Sequence, residues 1–341
     1  MRICFFANMS GHANWREVFE KVEFYRVDIR LLRELGHDVV LSGGPGSIDW
    51  HADAYFCWWW GHAALPLLVG KLRRKPVLVT GAFDYSACRT ELPGLCYLDR
   101  PEWQKVMLRS ALRFADRNLF ISRFEYDEVT TNLRVRHPVS APLAIDTAFY
   151  RPNDRRGALD NYFFTVSWTS YTNAVRKGLV ATLEAFARLA AELPHCRLLV
   201  AGKPGDHQGA LEQRARQLKI GDRVQFLGMI SDEEKREHYR RCVAYVQPTL
   251  HEGFGHAIAE AIASGARVVV SPRGAVPEVA GAYATWVDPL DIESIHQGML
   301  KVLTEPWQAS EADQRHQWID RNFSMEQRRG TLRRVIDGLC V

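Results

Sequence analysis

The stretch Thr249–Ser271, TLHEGFGHAIAEAIASGARVVVS, decides how the rest of the chain is read. It runs from a short polar loop into an alanine-rich helix and out into a β-branched strand, with Glu252 and Glu260 eight positions apart across the helix start. Glycine in a helix interior costs about 1 kcal/mol against alanine, so Gly253 and Gly255 serve something other than packing. A loop that opens a helix presents unpaired backbone N–H groups and the positive end of the helix dipole, which suit an anion, and glycine lets a phosphate or a sugar approach the backbone. Glu252 falls in the loop and faces whatever binds there. Glu260, about two turns further in, reaches only a ligand part lying beside the helix, such as ribose hydroxyls, for which a carboxylate is a bidentate acceptor. By residue type alone, Glu252 also fits a cap of the helix and Glu260 a solvated surface acid.

Outward from this stretch, apolar strand-like runs alternate with helical periodicity. VAYVQP (Val243–Pro248) precedes it, and Tyr162–Ser167, Arg197–Gly202, Val224–Gly228, Arg267–Ser271 and Thr285–Pro289 read as further strands. Helices are predicted over Gly178–Leu193, Gln208–Leu218, Asp232–Cys242 and Ile292–Leu303. The same rhythm occupies the first part of the chain. Strands are expected at Arg2–Asn8, Leu35–Gly44, from Ala54, Pro76–Gly81 and Asn118–Ser122, and helices near Gln104–Ala115 and Phe124–Asn132. Val18, Val22, Tyr25, Ile29 and Leu32 recur at helical spacing and predict one helix. Alternation of this kind builds parallel sheets covered on both faces. Proline, charge and turn residues over Ala141–Gly157 mark a linker. The expected architecture is α/β, with two Rossmann-like doubly wound domains at 1–148 and 149–322 and a closing helix at 323–341. Open sheets of this type bind ligands at the carboxyl ends of their strands, which directs attention to the loops there.

Composition narrows the class. A chain of 341 residues that is 47% hydrophobic and 25% charged exceeds one compact core and excludes disorder. Its 44 basic and 40 acidic residues give only +4, too balanced for a nucleic-acid partner. Seven scattered cysteines without a C-x-x-C pair argue against a disulfide framework or structural zinc and fit a reducing cytoplasm. The N-terminus reads as a first strand rather than a secretory leader. Ala54–Gly70, AYFCWWWGHAALPLLVG, is short for a membrane span and carries Gly61, His62 and Pro66, so a strand, a loop and a helix start are expected. Trp58–Trp60 and the basic run KLRRK (Lys71–Lys75) together raise a peripheral contact with an anionic membrane, and RVRH (Arg134–His137) is a second basic run.

HEGFGHAIAEAIASGARVVVSPRGAVPEVAG resembles the signature of the family 4 retaining glycosyltransferases, which have the GT-B fold. AIDTAFYRP at the linker, RKG at Arg176–Gly178, LLVAGKPG and VQFLGMI follow that family's order, so the resemblance covers about Pro142–Asp291. It implies two Rossmann-like domains facing across a cleft, a closing helix at 323–341 that returns to the first domain, and a nucleotide-diphosphate sugar as co-substrate. Glu252 would lie next to the donor sugar and balance positive charge at an oxocarbenium-like centre. Glu260 would hold the ribose, and Arg176 and Lys177 the diphosphate. Gly253, Phe254, Gly255, His256, Lys203, Met229 and Glu278 complete the implied donor set. The AGKPGD loop is not a Walker A, yet Lys203 can touch a phosphate. No D-x-D stands at a strand end and the family commonly works without metal, so neither metal nor other cofactor is expected.

The chain departs from the family in three places. Trp168 and a longer loop, WTSYTNAV, stand where an arginine is usual. VLVTGAFDY offers Asp84 where the family has a histidine, and NMSGHANWREV replaces a plain glycine pair. The first domain is therefore read from chemistry. Asn8, Ser10, Gly11, His12, Asn14 and Trp15 combine hydrogen-bonding groups with an aromatic face that suits a saccharide acceptor, and Asp84 is placed to orient or deprotonate an acceptor hydroxyl. The expected activity is retaining transfer of a sugar to a hydroxyl of a saccharide or lipid-linked saccharide, in the cytoplasm and at the inner face of the membrane. The alternatives are a nucleotide-sugar epimerase on the same fold or a non-catalytic nucleotide-sugar-binding protein.

Overall fold

The computed structural model describes residues 1–153, 160–306 and 308–339. Part of the expected linker, Cys340 and the end of the closing segment lie outside the described residues. The chain divides into two compact units, one made of Met1–Ser86, Gly94–Ala144 and Phe323–Val341, the other of Ala87–Pro93 and Ile145–Asn322.

In the first unit the elements run β1 (Arg2–Phe6), α1 (Trp15–Lys21), α2 (Glu23–Glu34), β2 (Asp38–Ser42), β3 (Ala54–Trp58), α3 (Ala64–Arg73), β4 (Val77–Gly81), α4 (Glu102–Phe114), β5 (Arg117–Phe120), α5 (Arg123–Asn132) and β6 (Pro138–Ser140). The strands form one parallel sheet in the order β2-β1-β3-β4-β5-β6. β3 and β4 are buried along their whole length, as central parallel strands covered on both faces must be. The short β6 carries no period-2 signal and was not expected.

Two expectations in this unit are corrected. The single helix over Val18–Leu32 is two helices, broken at Val22, whose backbone is extended at φ −84° and ψ 115°. The break brings Phe19 and Tyr25 together at 5.4 Å, and both rings meet Phe5 of β1 at 5.7 and 6.3 Å. Aromatic packing on the sheet outweighs the continuity of a helix whose period, read across the break, looked regular. The tryptophan run is not a membrane anchor: Trp58 and Trp60 are buried, and Trp60 Nε1 donates to Asn118 Oδ1 at 2.8 Å.

In the second unit the order is β7 (Tyr162–Val166), α6 (Tyr171–Arg176), α7 (Leu179–Glu192), β8 (Arg197–Ala201), α8 (Gln208–Gln217), β9 (Val224–Gly228), α9 (Asp232–Arg241), β10 (Ala244–Gln247), α10 (His256–Ala263), β11 (Val268–Val270), α11 (Val276–Ala280), β12 (Ala284–Trp286), α12 (Ile292–Thr304) and α13 (Ala309–Phe323). Its parallel sheet has the order β12-β11-β10-β7-β8-β9, so the chain reverses its direction of travel across the sheet between β7 and β10. The loops after those two strands meet at the switch point, where doubly wound sheets open a ligand crevice. The stretch WTSYTNAV, expected as a loop, holds most of α6, whose Ala174 is buried. Helix signals legible in the sequence are realised at α9, where Ser231 and Glu234 form a reciprocal capping box.

The last helix, α14 (Met325–Asp337), belongs to the first unit and packs on α2. Arg328 reaches Asp28 through two hydrogen bonds of 2.9 and 2.8 Å, and both side chains are buried. The guanidinium also donates to the Ala141 and Pro142 carbonyls, which satisfies a charge that burial would otherwise make expensive.

Candidate active site

Three loops of the second unit converge at the switch point. After α6 the chain passes Arg176 and Lys177 and turns at Gly178, which caps α7 at φ +68°. A Cβ at Gly178 would stand 2.3 Å from the Pro248 carbonyl oxygen, so only glycine lets this turn lie against the end of β10. The Arg176 carbonyl accepts from Leu250 N at 2.7 Å and from Thr249 Oγ1 at 2.8 Å, which ties the two loops together. Ala275 N, from the loop after β11, donates to the Glu252 carbonyl at 2.8 Å.

These backbone ties bring together residues 75 positions apart. Arg176 Nη1 lies 3.0 Å from Glu252 Oε2 and donates to the His251 carbonyl at 3.0 Å, while Lys177 Nζ lies 3.8 Å from Glu252 Oε1. Gln247, the last residue of β10, donates its amide to Glu252 Oε1 at 2.7 Å and accepts from Lys177 at 3.4 Å. Glu252 is only 8% exposed. Burial pushes its carboxyl upward, but Arg176 and Lys177 more than offset this and hold it below the usual range. Burial lowers Lys177 despite the opposing pull of Glu252. The result is a compact set of two cations and one anion that a diphosphate can enter by exchanging with the carboxylate for the cations.

Glu260 is not the solvated surface acid its residue type allows, being 2% exposed and within α10. Lys235 Nζ meets its Oε1 at 2.9 Å, the Tyr239 hydroxyl donates to Oε2 at 2.9 Å, and His256 Nδ1 lies 3.3 Å from Oε1. Desolvation opposes the charge, yet Lys235 and His256 outweigh it and depress the carboxyl strongly. It is an interior anion with protein partners already in place, not a surface acid. Lys235, Tyr239 and Gln247 escaped sequence reasoning. Lys235 sits in the charge-rich run DEEKREHYRR, where nothing distinguishes it from its solvated neighbours, whereas the polar Gln247 ending an apolar strand was a readable signal.

The other donor candidates spread around this centre. Gly255 caps α10 at φ +88°, a conformation that favours glycine, whereas Gly253 is not in that region. The Phe254 side chain is buried, so its ring is part of the core rather than a ligand face. Lys203 lies 5.6 Å over the ring of Trp168, an exposed aromatic just beyond β7. Met229 is exposed after β9, and Glu278 is half-buried on α11.

In the first unit the sheet order puts the switch point between β1 and β3. Ser10, Gly11, His12 and Asn14 are exposed in the loop after β1, and Ser10 bonds to Asn8 Oδ1 through N and Oγ. Trp15 is half-buried: it meets Phe19 at 5.9 Å, and a Cβ on Gly43 would stand 2.6 Å from its ring. Its face toward Gly43 is therefore already covered. Asp84 stands three residues beyond β4 and lines a pocket of about 300 Å³ with Trp59, His62, Phe83 and Arg100. Trp59, at φ +80° with Nε1 donating to the Tyr25 hydroxyl at 2.7 Å, was not among the expected acceptor residues.

Residues 168–325 match the family model described as glycosyl transferases group 1. The chain is 26% identical over 187 residues to the phosphatidylinositol N-acetylglucosaminyltransferase gpi3 subunit of Schizosaccharomyces pombe, covering 52% of this chain and 40% of that one. It thus spans less than half the length of that curated relative. Among solved structures, sucrose-phosphate synthase from Thermosynechococcus elongatus superposes with a TM-score of 0.79 at 16% identity over 99% of both chains. Anabaena HepE, in complex with UDP and glucose, does so with a TM-score of 0.76 at 15% identity over 99% of this chain and 100% of that one. The fold is that of the two-domain GT-B proteins, and residues 168–325 are similar to the group 1 glycosyl transferases. No helix among the described residues is long and apolar enough to cross a membrane.

Proposed function

We propose that the chain is a retaining glycosyltransferase of the family 4 kind, moving a sugar from a nucleotide-diphosphate sugar to a hydroxyl of a saccharide or lipid-linked saccharide. The observation that carries this reading is the convergence of Arg176, Lys177 and Glu252 at the switch point between β7 and β10. On donor binding the diphosphate takes over Arg176 and Lys177, as a fixed guanidinium fork and a point charge suit phosphate oxygens. Glu252, released from them, stands free to hydrogen-bond the sugar and to balance charge at the anomeric carbon. The anomeric carbon–phosphate oxygen bond breaks and the acceptor oxygen bonds to that carbon from the same face. The acceptor proton passes to the departing phosphate, which preserves the anomeric configuration. Glu260 holds the ribose by exchanging one of its present donors, and Gly255 and His256 offer backbone N–H groups to the phosphates. In the first unit, Asp84 with its pocket is the proposed acceptor side, joined by the loop from Asn8 to Trp15. No step is assigned to a metal.

The test is calorimetric titration with nucleoside diphosphates, beginning with UDP because the Anabaena neighbour binds it, beside a transfer assay. Arg176→Ala is expected to weaken a nucleoside diphosphate more than the bare nucleoside; equal losses overturn the phosphate assignment. Glu252→Gln is expected to abolish transfer while leaving diphosphate affinity unchanged or higher, because it unloads both cations. Transfer that survives this change refutes the assigned role.

A further inference from the structure

The first unit carries a surface that the donor and acceptor sites do not use. On α4, Trp103, Val106, Met107 and Phe114 are exposed and recur at the spacing of one helical face. On neighbouring α3, Leu68 and Leu72 are exposed one turn apart at 56% and 65%. These six account for six of the fifteen large apolar residues exposed among the described residues, within two elements of 13 and 10 residues. A soluble surface scatters such residues singly, and a concentration of them marks a contact.

Charge accompanies the apolar stripes. From Ala64 to Lys75 there are four basic residues and no acid, and α4 holds three basic residues and Glu102 alone. These two segments therefore carry a net +6, more than the +4 of the whole chain, so the remainder is net negative. Lys71, Arg73 and Arg74 form no ion pair among the described residues. A groove of about 680 Å³ runs between the helices, bounded by Leu68, Lys71, Arg74, Phe114 and Arg136. Aromatic and aliphatic side chains beside unpaired cations match the boundary of an anionic bilayer, where the rings and leucines enter the acyl region and the cations stay at the headgroups. A second copy of the chain docking through the same face would set these cations against their own kind.

We propose that α3 and α4 form a docking surface for anionic lipid membranes. The inference does not rest on the reading of the reaction. It replaces Trp58–Trp60 with the exposed residues of the next two helices, while the run Lys71–Lys75 keeps the role its charge implied.

The full chain is mixed with vesicles of phosphatidylcholine, with or without phosphatidylglycerol, and sedimented at about 0.1 M and about 1 M salt, between which the screening length falls from about 10 to about 3 Å. Binding is expected only with phosphatidylglycerol and weaker at high salt. Lys71→Gln with Arg73→Gln is expected to lower partitioning at least tenfold at low salt. Trp103→Ser with Phe114→Ser is expected to lower it at both salt concentrations. Both double variants alter exposed side chains, and an unchanged melting temperature establishes that they fold. Equal binding to neutral vesicles, or no effect of either variant, overturns the proposal. So does self-association in sedimentation velocity that the same variants abolish, because a second copy of the chain then covers the surface.

Discussion

The switch points of the two sheets differ in how they hold their polar groups. In the second unit the loops after β7 and β10 are bound together by backbone hydrogen bonds and a buried ion cluster, and Glu252 and Glu260 have partners before any ligand arrives. In the first unit the loop after β1 leaves Ser10, Gly11, His12 and Asn14 exposed. Charge that must be held out of water requires compensation from the protein itself, whereas hydroxyls and amides meeting a neutral sugar can wait in solvent. Buried charges are therefore paired in advance, whereas neutral polar groups can be left on exposed loops.

The largest expected effect tests whether Glu260 is an interior anion. Glu260→Ala leaves Lys235 and the Tyr239 hydroxyl without their acceptor, and breaking a buried pair costs about 3–5 kcal/mol, read as a lowered urea midpoint. A loss within about 0.5 kcal/mol, the range of ordinary surface changes, erases the contrast between the units. Next comes Gly178→Ala, which forces a Cβ into the Pro248 carbonyl at a left-handed backbone position. It is expected to lower stability by about 1–3 kcal/mol and to weaken nucleoside diphosphate binding, since the turn carries Lys177. Arg176→Ala is expected to weaken that binding about tenfold to a hundredfold, the range of a hydrogen bond to a charged group, of about 1.5–3 kcal/mol.

Acid provides a smaller and graded test. Glu252 and Glu260 are both depressed from 4.5, so their stabilisation is full above that value and is lost as pH falls through their folded values below it. Unfolding free energy should decline below about pH 4.5, by up to about 1.4 kcal/mol per pH unit for each proton taken up, and Glu260→Gln should flatten that limb. The smallest effect is expected from Ser10→Ala and His12→Ala, which should change stability by no more than about 0.5 kcal/mol. Lower kcat/KM for acceptor with unchanged diphosphate affinity would sharpen the contrast. Loss of diphosphate affinity would break it.

Residue types and spacing alone determined the α/β alternation and the glycine turn into α10, while the Glu252–Glu260 pair and the basic Arg176–Lys177 step were singled out by the resemblance of their motifs to a known family. Each is local: strands and helices differ in hydrophobic period, and a loop-to-helix junction needs glycine within a few residues. The tertiary structure decided which charges meet. Gln247, Lys235 and Tyr239 gain their roles only when β10 and α9 bring them to glutamates elsewhere in the chain, and the burial of Trp58 and Trp60 follows from the sheet they enter. The break at Val22 has the same origin, since the packing of Phe19 and Tyr25 on Phe5 overrides a periodicity that looked continuous along the chain. Local preference is worth tenths of a kcal/mol per residue, while burying an aromatic ring is worth several times that, so where the two conflict the tertiary contact prevails.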